Sequence, residues 1–137
     1  MPVWVAALWW GSLTTLGFLV VPLLFVHLPT PALAGSMAEK LFAAQTWVSF
    51  VCGLLLLMTT RSNRPLAFAP AAQAAIIFIV GGMLLALLSE FAVAPRIVAR
   101  DNLRLWHSVG SAMYLLQWLC AAATFWTLTG PRQRLVS

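Results

Sequence analysis

A chain of 137 residues that is 62% hydrophobic and only 8% charged cannot clothe itself in a water-facing surface, which ordinarily needs about a quarter of its residues charged. Eight Lys and Arg against three acids give a net charge of +5, yet in so apolar a chain basic residues flank membrane helices and set their orientation. Nucleic-acid binding is therefore not expected, since it needs a basic cluster on a water-facing element, and the chain reads as an integral membrane protein.

In chain order, no charge occurs between Met1 and Glu39, and the apolar stretch 3–27 exceeds the roughly 20 residues that cross a bilayer. The string Ala32-Leu33-Ala34-Gly35 just beyond it has the look of a signal-peptidase site. It lacks a basic segment ahead of it, its apolar run outlasts the roughly 7 to 15 residues of a leader core, and Pro29 and Pro31 crowd it. An uncut corner is expected there, with Thr30 capping a helix that has Pro31 in its first turn and carries the second span, 38–60.

The third span, 68–94, comes after the polar turn Arg61-Ser62-Asn63-Arg64-Pro65 and should kink or stop at Pro95. The fourth, 103–128, ends at Gly130 and Pro131. These spans predict an all-α fold, an integral membrane four-helix bundle occupying 1–137 as a single domain. Small residues four apart, Gly11 with Thr15, Ser49 with Gly53, Gly82 with Ala86 and Ser108 with Ala112, suit close helix packing in lipid and equally self-association. Cys52 and Cys120 lie far apart in apolar runs without a CxxC partner and read as packed side chains.

Connectivity sorts the polar residues. With four spans, Arg61, Arg64, Arg132 and Arg134 share one membrane side with both termini, and no acid accompanies them. Lys40, Arg96, Arg100 and Arg104 share the other with Glu39, Glu90 and Asp101. A count of basic residues ties; the acid-free side is read as cytoplasmic. Connectivity also brings His27, Glu39, Glu90, Arg96 and His107 to one face.

Glu90 ends a long uncharged run, where a carboxylate is costly unless paired or protonated; Arg96 is its expected partner, and Arg96, Arg100 and Arg104 would form a stripe if helical. His107 opens a strip with Ser111, Tyr114 and Trp118, with Gln117 at its margin. Neutral imidazoles at His27 and His107 can ligate a transition metal or haem iron, move a proton, or hydrogen-bond a carboxylate. No HxxxH, ExxH or CxxC spacing supports a metal motif, and no catalytic triad or phosphate-cradling glycine loop is present.

The segment from Leu8 to Phe42 resembles the opening of the small bacterial membrane proteins classed as domain-of-unknown-function family 4149, relatives of eukaryotic transmembrane protein 205. Gly11, Pro22, Leu24, Phe25, Pro29, Ala34, Gly35, Leu41 and Phe42 occupy the family's positions. The segment from Val93 to Leu119 is similar to its Pro-Arg stretch followed by a helix opening on histidine, which puts Pro95, Arg96 and His107 on the motif. Where the family has leucine before the histidine and asparagine further on, this chain has Trp106 and Tyr114. The resemblance implies a four-helix membrane protein without an assigned catalytic activity, and the association of the eukaryotic relative with platinum-drug resistance implies metal handling. Two main readings result, with an oxidoreductase or a transporter of an apolar or ionic substrate as a third. One is a non-enzymatic binding or assembly module of the bacterial inner membrane, with a membrane-protein partner or a homo-oligomer. The alternative is a haem- or metal-binding protein acting in metal handling or electron transfer, with His27 and His107 as ligands.

Overall fold

The computed structural model describes residues 2–62, 70–93, 95, 96, 99 and 103–130, which contain helices and no strand. They form α1 (Pro2–Thr15), a π-helical segment Leu16–Val20, α2 (Val21–His27), α3 (Pro31–Ser62), α4 (Pro70–Leu88), a second π segment Ser89–Val93, and α5 (Leu103–Thr129). Among the described residues four stretches are long and apolar enough to cross a membrane: Pro2–His27, Pro31–Thr60, Gln73–Val93 and Arg104–Thr129. The fold is an all-α, four-helix membrane bundle. Asn63 to Pro65 of the polar turn, Arg100, Asp101 and the tail arginines lie outside the described residues.

Local chemistry explains the corner. Leu28 is extended, as the residue before a proline tends to be, and its N–H donates to the Leu24 carbonyl at 3.0 Å. Thr30 Oγ1 then accepts from the Leu33 N–H at 3.2 Å, so a hydroxyl and a first-turn proline start α3.

Both π segments end two residues before a proline, Pro22 and Pro95. Proline offers no N–H, and its ring presses on the carbonyl four residues back. Those carbonyls belong to Phe18 and Phe91, each in the middle of a π segment, where the wider turn relieves the contact. The distortion expected at Pro95 is thus taken up in the turn before it.

The helices form a ring in chain order, α3 packing on α1 and α4, and α5 closing the ring against α4 and α1. The core holds Ala6, Trp9, Leu13, Cys52, Leu56, Ile79, Met83 and Ala121. Trp9 is fully buried and its ring lies on Gly82, where a Cβ would come within 2.7 Å of it. Met83 presses on Gly53 in the same manner. By contrast, Gly11 has nothing within 4 Å of a Cβ and borders an open groove with Ala7, Ser12 and Thr15. Trp4, Leu8, Val26, Met58, Phe91 and Trp126 face outward, as lipid-facing residues do.

Candidate functional site

The polar residues fall into two groups, one at a membrane face and one in the bundle's interior. At the face, His27 is the last residue of α2, and it is exposed, as are Glu39 and Lys40 in the first turns of α3. Glu90 is half-buried in the second π segment, inside the third span. Arg96 is exposed and holds its guanidinium 5.0 Å from the centre of the Trp106 ring, a cation–π contact. Arg104 and His107 are exposed at the start of α5.

Apart from the half-buried Glu90, these ionisable side chains are exposed. Among the described residues Glu90 has neither hydrogen bond nor ion pair, while Arg96 is drawn to the indole. Arg96 follows Glu90 by six positions, beyond the three or four at which side chains meet on one helix face. Among the described residues no group of three or more His, Cys, Asp or Glu side chains is placed to hold a metal ion.

The strip on α5 divides. Tyr114 and Trp118 turn inward onto the first span, whereas His107 and Ser111 are exposed. The Tyr114 hydroxyl donates to the Leu13 carbonyl at 2.5 Å, and the Gly17 N–H faces the phenol oxygen. Leu13 and Gly17 are an i, i+4 pair, so the phenol stands where an unbroken α-helix has a backbone bond. Only glycine permits this, because a Cβ at residue 17 would lie 2.5 Å from the ring. Trp118 Nε1 donates to Thr14 Oγ1 at 2.8 Å.

The interior group was not predicted. Gln45 Nε2 donates to Ser12 Oγ at 2.9 Å and to Ser49 Oγ at 3.4 Å, and Gln117 Nε2 donates to Ser49 Oγ at 2.7 Å. Gln45, Ser49 and Gln117 are 7%, 0% and 4% exposed, and all lie near the middle of their spans. Side-chain hydrogen bonds between helices are a recurring link in lipid, each worth about 0.6 to 2 kcal/mol. Two amides placed mid-span in the sequence were the available signal; the shared hydroxyl was not visible without the fold.

Fold and residues together define a multi-pass helical membrane protein with a hydrogen-bonded interior. Residues 4–105, most of the chain, match the family described as a domain of unknown function, DUF4149, and the protein belongs to it. The match includes Glu90 and Arg96 and stops two residues short of His107. No curated protein and no solved structure matches the chain.

Proposed function

We propose that this chain is a non-enzymatic binding or assembly module of the bacterial inner membrane, a single four-helix unit with both termini cytoplasmic. Its polar face, with His27, Glu39, Glu90, Arg96 and His107, takes a ligand or a membrane-protein partner. Kinship with eukaryotic transmembrane protein 205 is part of this reading, resting on the glycine, proline and Pro-Arg positions of the sequence.

The observation that carries it is Glu90. A half-buried carboxylate within a span, without an ion pair among the described residues, costs stability, and a polar group held at such a cost marks a place where something is bound.

The test is Glu90→Gln in the full chain purified in detergent. Removing this carboxylate should raise the thermal midpoint while abolishing retention of whatever copurifies with the wild type. A lowered midpoint would make Glu90 a structural partner and overturn the reading. Absorbance in the Soret region and elemental analysis, on wild type and His107→Ala, decide the haem or metal alternative: a stoichiometric signal lost in the variant would replace the first reading with the second.

A further inference from the structure

The pattern Phe-x-Val-x-Pro occurs twice, at Phe18 to Pro22 and at Phe91 to Pro95, a shift of 73 residues. Each copy has a π segment that ends at its valine. The same shift carries the buried residues Ala6, Trp9 and Leu13 of the first span onto Ile79, Gly82 and Ala86 of the third, all buried. It also carries outward-facing Trp4 and Phe18 onto outward-facing Ile77 and Phe91.

The second and fourth spans correspond at a shift of 72, the connection between spans being one residue shorter in the second half. Gln45 falls on Gln117, Phe42 on Tyr114, Ser49 on Ala121 and Cys52 on Thr124. Except for the aromatic pair, which is half-buried, all of these are buried.

In an object with two-fold symmetry, a residue touches its own counterpart only at the axis. Three such meetings occur. Trp9 lies on Gly82, the Phe42 and Tyr114 rings meet edge to face at 5.4 Å, and Gln45 and Gln117 converge on one hydroxyl. Ring order agrees, since exchanging first with third and second with fourth spans maps the α1–α5 contact onto the α4–α3 contact. The first and third spans run in the same direction, so the axis lies along the membrane normal, as in parallel membrane repeats.

We propose that the protein is a duplicated helical hairpin, and that the surface joining its halves is the one a single hairpin would present to a second copy of itself. The pseudo-axis passes between Gln45 and Gln117. The halves have diverged where polarity matters: Glu90 and His107 have Gly17 and Gly35 as counterparts. Those two groups are therefore present once per molecule and belong to the second repeat. The duplication stands on the helix register and does not depend on what the polar face binds.

The test moves the bridging hydroxyl to its symmetry mate in the full-length protein. Ser49→Ala removes the shared partner of both glutamines and lowers the unfolding midpoint in detergent. Adding Ala121→Ser places a hydroxyl four residues from Gln117 and opposite Gln45, the mirror of the original geometry, and should recover most of the loss. Ala122→Ser in the Ser49→Ala background is the control and should recover nothing. The Gln45 and Gln117 side-chain amide proton shifts should take the same course, moving in Ser49→Ala and returning in the double variant. Failure of Ala121→Ser to restore the midpoint and the amide shifts, or equal recovery with Ala122→Ser, overturns the duplication.

Discussion

Two glycines of the same chain make opposite predictions when replaced by alanine. At Gly82 the new methyl would meet the Trp9 ring at 2.7 Å, and a fully buried indole has little room to yield. Gly82→Ala should cost about 1–3 kcal/mol, the usual penalty of overpacking, read from unfolding in mixed detergent micelles. At Gly11 nothing lies within 4 Å, so Gly11→Ala should be neutral or stabilising by up to about 1 kcal/mol through helix propensity. Tyr114 gives a graded pair. Tyr114→Phe loses one hydrogen bond to the Leu13 carbonyl, a loss of about 0.5–1.5 kcal/mol. Gly17→Ala should cost more, since the whole ring must leave. Equal effects of the two would show that the close approach contributes nothing beyond the hydroxyl.

Among elements, the π segments are the unusual features. If proline causes them, Pro95→Ala supplies an N–H for the Phe91 carbonyl and lets the turn Ser89–Val93 tighten to α-helix. Removing one residue from a wide turn rotates the chain beyond it by about 100°, so Arg96 should leave the Trp106 ring. Amide exchange at position 95 and the indole resonances of Trp106 report both steps. An unprotected amide and an unmoved indole would mean that packing on α5, not proline, sets the turn. The prolines and the four apolar runs were plain in the sequence, because length and missing N–H groups are properties of single residues in order. That the strain would spread backward into a π turn was not, since that outcome depends on how neighbouring helices accommodate the bulge.

At the scale of the molecule, Ser49 is the shared acceptor of two buried amides, and its loss strands Gln117 and leaves Gln45 its bond to Ser12. Ser49→Ala should therefore cost about 1–3 kcal/mol, while replacing Gln45 and Gln117 by leucine in the same chain should recover that loss, because apolar groups of similar size leave nothing unsatisfied. If the triple variant stays as unstable as Ser49→Ala, the network contributes packing rather than hydrogen bonds. The sequence places Gln45 and Gln117 at mid-span but cannot say that they face each other. Periodicity fixes direction within one helix and leaves the rotation between helices open. Connectivity leads one to expect His27, Glu39, Glu90, Arg96 and His107 on one face, whereas the Arg96–Trp106 contact, and the lack of an ion pair at Glu90 among the described residues, needed coordinates.

Among the described residues the centre of the ring is filled at three successive levels. Trp9 blocks one level, the Gln45–Ser49–Gln117 bridge the next, and the Phe42–Tyr114 ring pair the level beyond. A solute crossing the membrane with the help of this protein would be stopped at those levels along that line. Its route would run along the lipid-facing flanks or through a seam between chains, so permeation, if it occurs, would depend steeply on protein density in the membrane.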